Sequence, residues 1–295
     1  MTKLSATIAI LAALACAAGA YYWAHGRAAF GRVSKAAQPT LVAHALATDK
    51  AVEASASPTL SKTIDPGDRA APADASAPLR SGEVLEFAAD VANLSNVANL
   101  RLQIVDRRDF FGKSAWHLQA FARTENPLRM VFELDDQFDS YSDATTLSSL
   151  QYEMHLNERG EKQDSIQSMT TTSTERAAAN ATQTRVAPGT RDPLGLMQYL
   201  RTVDWAKIQE VRGPVYDGHK LYEVSARLDG PAQNVTVPAG RFSASKIEVR
   251  VFDAGAELKD AHFALYLASN TSRTPVLLEA VMPFATARVA LVKIK

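Results

Sequence analysis

Apolar and polar residues alternate with a period of two over much of the chain after residue 80. The segments 82–91, 100–106 and 245–252 place Val, Leu, Ile or Phe largely at alternate positions, with charged or polar residues between them. This alternation predicts strands with one buried face and one hydrated face, as in antiparallel sheets. Short polar connections, at 158–161 and at Asp217-Gly218, are suited to hairpin turns.

Other segments with the same pattern extend the predicted sheet. The polar, Thr-rich stretch 165–184 is predicted to form long strands or a hairpin. We predict further strands at 116–123, 129–134, 150–156, 220–226, 264–267, 276–281 and 289–294.

One segment breaks the alternation and predicts a helix. Asp192 suits the N-cap position and Pro193 suits the first helical position. Leu196, Leu200 and Val203 then recur at spacings of four and three, as on one face of a helix. Many strands with one inserted helix predict a mainly β fold, in which a large antiparallel sheet is curled or closed like a barrel.

The first 24 residues predict the compartment. Lys3 precedes the uncharged, mostly apolar run 4–24, which ends in two Tyr, a Trp and an Ala. The run fits a signal peptide cut after Ala18-Gly19-Ala20, or an uncleaved anchor in the membrane, because about 20 apolar residues span a bilayer. A third alternative is a lipoprotein with lipid on Cys16, although the residues before this Cys fit that motif less well. Each alternative places the rest of the chain in the periplasm or cell envelope.

The next segment has the composition of a linker. Residues 25–80 are rich in Ala, Pro and Ser and contain no aromatic residue after Phe30. Such a segment buries too little apolar area to offset the entropy that ordering costs. We therefore predict a disordered tether at 25–80 and one antiparallel β domain at 81–295, which is long enough for a sizeable core.

The composition excludes several functional classes. Among 295 residues, 32 Lys and Arg balance 32 Asp and Glu, so the chain lacks the basic excess typical of phosphate binding, and no nucleic-acid partner is predicted. A single Cys excludes a disulfide framework and a Cys-based zinc site. The sequence contains neither Gly-x-Ser-x-Gly nor a Gly-rich phosphate-binding motif, and it predicts no cofactor.

Six short motifs occur in an order that resembles a known family. They are Gly82-Glu83-x-Leu85-x-Phe87, Trp116-His117-Leu118-x-Ala120, Phe132-x-x-x-Asp136-x-x-x-Ser140-x-x-Asp143, Asp192-x-Leu194 with Tyr199-Leu200-Arg201, Val237-Pro238-Ala239-Gly240 continuing to Lys246, and Thr274-Pro275-Val276-x-Leu278-Glu279-Ala280. Over about residues 81–295 they resemble the domain of unknown function 3108 (DUF3108), a family of exported bacterial envelope proteins.

The resemblance implies a large, mostly antiparallel, barrel-like sheet and a location in the envelope. The family has no established catalytic residues, so the resemblance implies none in this chain. The chain departs from the family near the penultimate strand, where Tyr266 and Asn270 stand in place of a frequent Trp and Asp.

An acidic cluster offers the most specific candidate chemistry. Asp135, Asp136, Asp139 and Asp143 could supply oxygen ligands of the kind that Ca²⁺ binds. The segment lacks the Gly that tightens an EF-hand loop, so we favour a polar strand end and turn, and no metal is predicted.

Histidine and other charged residues give weaker signals. His117 and His155 lie on predicted strands and could meet across the sheet, but we favour strand histidines without a metal because no close His pair occurs. For Arg201, Lys246 and Glu279, which lie in the motif segments, we favour structural ion pairs over an anchor for a ligand headgroup. No catalytic residue is predicted, and the candidate ligand-binding residues are Asp136, Ser140, Asp143, Arg201, Lys246 and Glu279.

These observations favour a non-enzymatic binding or scaffolding protein of the envelope, with a lipid or a polysaccharide as its partner. A barrel-like sheet with small inward residues would have room for such a ligand. The small residues expected to face inward are Ala88, Ala120, Ala122 and Ala244.

Two alternatives belong to other functional classes. A structural assembly partner would carry an exposed apolar patch. A glycan hydrolase would need two converging carboxylates. The carboxylates available for that role include Asp204, Asp217, Glu223 and Glu248.

Overall fold

The computed structural model describes residues 78–171, 180–281 and 286–295. The signal peptide or anchor predicted at 1–24 lies outside these ranges, as does the predicted tether except for residues 78–80. The described residues form fourteen strands and one α-helix, α1. The bounds are β1 Val84–Val91, β2 Leu94–Phe110, β3 Lys113–Thr124, β4 Asp135–Asp143, β5 Ser149–Glu158, β6 Glu161–Thr170, β7 Thr182–Arg185, α1 Pro193–Thr202, β8 Glu210–Tyr216, β9 Leu221–Leu228, β10 Gln233–Val237, β11 Gly240–Asp253, β12 Ala256–Ala268, β13 Pro275–Val281 and β14 Thr286–Ile294.

All fourteen strands belong to one sheet, in which most neighbours in space are also neighbours in sequence. Its order is β7-β6-β5-β4-β3-β2-β1-β14-β13-β12-β11-β9-β8, and β10 pairs with β11 beside this path. The named strand pairs are antiparallel except β6 and β7, which are parallel. The first and last strands, β1 and β14, pair in the middle of the sheet.

The sheet curls until its two edges approach each other. Arg191, which follows β7, donates its backbone N–H to Pro214 O at 3.1 Å and accepts from Tyr216 N at 2.8 Å. These contacts do not make a ladder between β7 and β8, so the described sheet is barrel-like but open. The predicted mainly β fold, a large curled antiparallel sheet with one inserted helix, is confirmed, with one parallel strand pair added.

Most of the predicted strands are present, but the prediction for 129–134 is wrong. That segment begins in a 3-10 helix, Leu128–Met130, and continues as a loop. The strand lies at β4, in the acidic segment, where the inward positions include Asp136 and Ser140. Because these inward residues are polar, β4 lacks the apolar alternation that identifies a half-buried strand.

Two further differences concern the polar parts of the sheet. The alternation pattern does not predict β8 or β10. The stretch 165–184 contains parts of β6 and β7, which run parallel and therefore are not a hairpin, while residues 172–179 lie outside the described residues.

Helix α1 lies inside the curled sheet, and most of its residues are buried. It begins as predicted, because the Asp192 carboxylate accepts the Gly195 N–H at 2.8 Å and Pro193 occupies the first position. At its other end, Arg273 donates to the carbonyl oxygens of Arg201 and Val203 at 3.0 and 2.6 Å. A helix buried on nearly all sides is typical of a protein interior.

A small cavity remains between the helix and the sheet. The cavity between α1 and strands β11–β13 measures about 30 Å³, which is room for about two or three water molecules. Of the small residues expected to face inward, Ala120, Ala122 and Ala244 are buried, whereas Ala88 is only partly buried on β1, between the buried Phe87 and Ala89. The apolar side chains that line the cavity include Leu196, Met197, Leu200, Val249, Leu265 and Leu278.

The folded domain begins before the predicted boundary at residue 81. Leu79 is buried in the main hydrophobic core. Pro78 and Leu79, which are both buried, therefore pack with the domain. No helix in the described ranges is long and apolar enough to cross a membrane.

Candidate functional site

The six candidate ligand-binding residues are distributed over separate parts of the domain. Asp136 and Ser140 lie on the inner face of β4, and Asp143 ends that strand. Arg201 lies in α1. The remaining two lie in the other half of the sheet, Lys246 on β11 and Glu279 on β13.

Asp136 acts within the sheet as an acceptor for backbone. Its Oδ1 accepts the N–H of Asn157 at 2.8 Å. Burial, together with the nearby charges of Glu158 and Asp135, raises the pKa of Asp136 to about 7, against the lowering effect of the Asn157 hydrogen bond. Asp136 therefore titrates near neutral pH inside the domain.

Ser140 belongs to a buried cluster at the N-terminus of α1. Its hydroxyl donates to Asp192 Oδ2 at 2.6 Å, and the Ser149 hydroxyl donates to the same oxygen. Burial raises the pKa of Asp192, while hydrogen bonds from these hydroxyls and from backbone N–H groups partly offset that rise. Because Asp192 itself caps the helix, this cluster joins α1 to β4 and β5.

The acidic cluster does not gather around one point. Asp143 Oδ1 accepts the N–H groups of Thr145 and Thr146 at 3.0 and 2.8 Å, as expected for a polar turn. Asp135 accepts from Arg129 Nη2 at 2.6 Å. Within the described residues there is no group of three or more His, Cys, Asp or Glu side chains placed to hold a metal ion.

Arg201 forms the buried ion pair that the sequence analysis favoured. Its Nη1 and Nη2 donate to Glu83 Oε2 and Oε1 at 2.7 and 2.9 Å, and the Arg201 side chain is fully buried. Nη2 also donates to the carbonyl oxygens of Pro78 and Ser272, both at 2.9 Å. Arg201 thus joins α1 to the segment that precedes β1.

Lys246 and Glu279 are held in local contacts at the surface. Lys246 Nζ lies 2.7 Å from Asp229 Oδ2, in a partly exposed ion pair. Glu279 Oε2 accepts the hydroxyl of Tyr266 at 2.8 Å, and Arg288 Nε lies 3.9 Å from its other oxygen. In the described part of the chain, neither Lys246 nor Glu279 forms a hydrogen bond or an ion pair with Arg201.

A denser group of polar side chains occupies the outer face of β3, β4 and β5. The cross-strand register sets three outward residues of each strand side by side, in a three-by-three array that we call the polar face. At ordinary strand spacings the array covers roughly 10 by 14 Å. Its rows are His117, Tyr141 and Gln151; Gln119, Asp139 and Glu153; and Phe121, Gln137 and His155.

Asp139, at the centre of the polar face, organises its neighbours. His117 Nε2 and Gln119 Nε2 each lie 2.7 Å from Asp139 Oδ1, and Gln137 Nε2 lies 2.7 Å from Oδ2. Burial alone would raise the pKa of Asp139, but hydrogen bonds from His117, Gln137 and Gln119 outweigh it and lower the pKa. An ionised carboxylate only accepts, so all three neighbours present N–H groups to it.

Aromatic rings border one corner of the polar face. Tyr141 stacks on His117, with ring centroids 4.6 Å apart, and on Phe110, at 4.3 Å. Phe111 packs edge-on against Phe110 and is half exposed at the tip of the β2–β3 hairpin. The stack fixes the orientation of the His117 ring, whose Nδ1 is buried without a partner among the described residues.

The β5 side of the face carries further acceptors. Gln151 Nε2 donates to Glu153 Oε1 at 2.6 Å, while Gln151 Oε1 is buried without a partner in the described part of the chain. The Glu153 side chain is 17% exposed. His155 Nδ1 lies 2.7 Å from Asp164 Oδ1. Burial lowers the pKa of His155, but Asp164 and Glu153 together raise it above its ordinary value.

The sequence analysis considered some of these residues singly and missed the array. His117 and His155 occupy opposite corners, and each lies beside a carboxylate, Asp139 for His117 and Asp164 for His155. The available signal was a run of Gln, His and aromatic residues at alternate positions of three strands. Joining them required the β3–β4–β5 register, which the wrong strand assignment at 129–134 hid.

Three of the four carboxylates considered for glycan hydrolysis have separate local roles, and the fourth, Glu223, lies exposed on β9. Asp204 pairs with Lys207 at 2.9 Å, and Glu248 with Arg250 at 3.2 Å. Asp217 Oδ1 accepts backbone N–H groups in the β8–β9 turn.

A family model described as "Protein of unknown function (DUF3108)" matches residues 90–292. The chain belongs to the DUF3108 family. The match covers β2 through most of β14, and therefore includes the polar face and α1. No curated protein matches this DUF3108 chain.

Three solved structures are similar to this DUF3108 protein in outline. A β-barrel-like DUF1849 protein of Brucella abortus is 10% identical, with 73% of this chain and 97% of that chain covered and a TM-score of 0.46. A candidate lipoprotein of Parabacteroides distasonis is 12% identical, with 73% and 96% covered and a TM-score of 0.33. A candidate exported protein of Bacteroides fragilis with a YmcC-like fold is 13% identical, with 74% and 97% covered and a TM-score of 0.30.

Proposed function

We propose that this DUF3108 protein is an exported, non-enzymatic binding protein of the cell envelope whose partner is a polysaccharide, held on the polar face. The small size of the cavity beside α1 carries the choice of polysaccharide over lipid. A cavity of about 30 Å³ beside α1 is far smaller than the roughly 300–1,000 Å³ of typical ligand pockets.

The chemistry of the polar face suits a hydroxyl-rich partner. Amide, imidazole and carboxylate groups lie side by side there, and Asp139 holds Gln119 and Gln137 in fixed orientations. Fixed groups lose little conformational entropy when a ligand binds, which favours affinity. The aromatic rings at its border add apolar edges that suit the C–H groups of sugar rings.

The absence of enzymatic activity is part of the proposal. Asp204, Asp217 and Glu248 are engaged in separate local contacts, whereas glycoside hydrolysis uses two carboxylates about 5–10 Å apart across a cleft. An envelope location is supported by the apolar run 4–24 and the linker-like composition of 25–80.

The proposal can be tested by native mass spectrometry of the full chain recovered from the envelope of an expressing bacterium. We expect an added mass that is lost under denaturing conditions and that is identified as carbohydrate. A matched sample carrying Asp139→Ala should lose this mass, whereas a sample carrying Asp229→Ala, on the far half of the sheet, should keep it.

Other outcomes would contradict the proposal in distinct ways. A lipid in place of the carbohydrate would favour a carrier, and a second protein would favour an assembly partner. A bare chain that shortens envelope glycans on incubation would favour the hydrolase.

A further inference from the structure

We infer that the polar face selects sugars that present hydrogen-bond donors, that is neutral or amino sugars, over acidic ones. The inference rests on the proposed polysaccharide-binding function and names the class of polysaccharide. It follows from which polar atoms of the array already form hydrogen bonds within the protein and which are left for a ligand.

The amide orientations on the polar face are determined by Asp139. Its carboxylate is ionised and accepts from Gln119 and Gln137, so the nitrogen of each amide must face it. The carbonyl oxygen of each side chain therefore points away from Asp139. Both Gln side chains are partly exposed, so these oxygens are available as acceptors.

The third Gln repeats this arrangement on β5. Gln151 gives its N–H to Glu153, and its Oε1 has no partner among the described residues. A buried acceptor without a partner costs about 1–3 kcal/mol. A donor from a ligand or from water would remove that cost. Glu153 adds a partly exposed carboxylate beside it.

The polar face thus carries partly exposed amide oxygens on Gln119 and Gln137, a buried one on Gln151, and the carboxylates of Asp139 and Glu153. These acceptors favour a ligand that supplies donors, such as hydroxyl, amide N–H or ammonium groups. None of its nine positions is Lys or Arg, and a cation on its border is Arg101, whose guanidinium lies 5.6 Å from the centre of the Phe121 ring. A sugar carboxylate would meet the charges of Asp139 and Glu153, and like charges placed together are unfavourable. Because most exposed acceptors are neutral amides, the array suits neutral donors better than the dense positive charge of a basic peptide.

The test compares three hexasaccharides of equal length at physiological salt: maltohexaose, the hexamer of N-acetylglucosamine and hexagalacturonate. Binding to the full chain is measured by isothermal titration. We expect the two uncharged sugars to bind about tenfold or more tightly than the acidic one. A lysine-rich peptide is the fourth ligand and should bind more weakly than the uncharged sugars.

Three variants locate the site. Gln119→Leu with Gln137→Leu should weaken binding of the uncharged sugars about tenfold, as expected for two lost hydrogen bonds. Gln233→Leu, an exposed Gln on β10, is the matched control and should change nothing. Glu153→Gln keeps an acceptor for Gln151 but removes a charge. It should therefore reduce the ratio of the affinities for uncharged and acidic sugars severalfold. Thermal unfolding of each variant identifies any that fail to fold. If the double Gln variant does not fold, the affinities of Glu153→Gln for uncharged and acidic sugars test the inference.

The failures of the two proposals are distinguishable. Tighter binding of hexagalacturonate would overturn the donor-selection inference and leave polysaccharide binding in place. Sugar binding that survives the Gln119→Leu and Gln137→Leu changes would overturn the assignment to the polar face. If the lysine-rich peptide alone binds, or if no sugar binds and no carbohydrate accompanies the purified chain, both proposals fail.

Discussion

At the scale of single residues, Asp136 couples the stability of the domain to pH. Its folded pKa, about 7, lies above the ordinary value of 3.8, so the folded state binds a proton that the unfolded state has already released. Stability from this group is fully present below about pH 4 and is lost as pH rises toward 7. We expect Asp136→Asn to remove this loss and to stabilise the domain at pH 8 by about 2–4 kcal/mol.

Urea denaturation from pH 4 to pH 8 measures this effect. Glu161→Gln is the matched change from carboxyl to amide on the exposed start of β6, and it should leave the pH dependence as it is in the parent chain. An Asp136→Asn variant with an unchanged pH dependence would mean that Asp136 is ionised in the folded state without cost.

Arg201 differs from Asp136, because its buried charge is paired with the opposite charge of Glu83. Replacing it with Met leaves Glu83, whose side chain is 9% exposed, without its partner. Removing one member of a buried ion pair costs about 3–5 kcal/mol. We expect this loss in the free energy of unfolding of Arg201→Met, measured by urea denaturation.

The surface pair provides the comparison for that measurement. Lys246→Met breaks the partly exposed contact with Asp229 and should cost less than about 1 kcal/mol. Equal losses in the two variants would mean that burial of the Arg201 pair adds nothing.

At the scale of elements, α1 is fixed in position by a close contact at Gly195. A Cβ at this residue would lie 2.9 Å from Ser142 Oγ and 3.2 Å from Leu147 O. Ala is favoured over Gly within helices by about 1 kcal/mol, but overpacking costs about 1–3 kcal/mol. We expect Gly195→Ala to be destabilising by thermal unfolding. Thr202→Ala, at the half-buried end of the same helix, is the control, and a stabilised Gly195→Ala variant would contradict the contact.

The same region marks the limit of what the sequence pattern predicts. Alternation identified strands whose inward residues are apolar, and Asp192 with Pro193 identified the start of α1. The alternation pattern failed to identify β4. There Ser140 points inward but is polar, because it donates to the Asp192 carboxylate. The polarity of β4 is a response to the end of a helix more than 50 residues later in the sequence, which no local pattern contains.

The candidate site was harder to predict than the fold for a related reason. Arg201 and Lys246 were identified as ion-pair residues from their charge, and both pairs are present. The polar face depends on register across three strands, and a one-residue shift would send Asp139 to the opposite face. Charge is visible residue by residue in a sequence, whereas register is a property of neighbouring strands.

At the scale of the whole molecule, the segment 78–83 belongs to the folded domain. Leu79 is buried, Pro78 O accepts from Arg201, and Glu83 pairs with it. A chain that begins at Pro78 should match the full chain in its urea midpoint. A chain that begins at Val84 should be about 3–5 kcal/mol less stable. If the chain that begins at Pro78 is less stable than the full chain, residues before 78 contribute to the fold.

The pairing of β1 with β14 has a consequence for the time course of synthesis. Strands β1–β7 form one half of the sheet and β8–β14 the other, and the two halves meet where β1 pairs with β14. Because the chain is synthesised from its N-terminus, the first half of the sheet can assemble early, but one edge of β1 has no partner until β14 has been made. Unpaired strand edges invite aggregation, so this chain passes through a vulnerable interval that ends only when β14 has paired with β1.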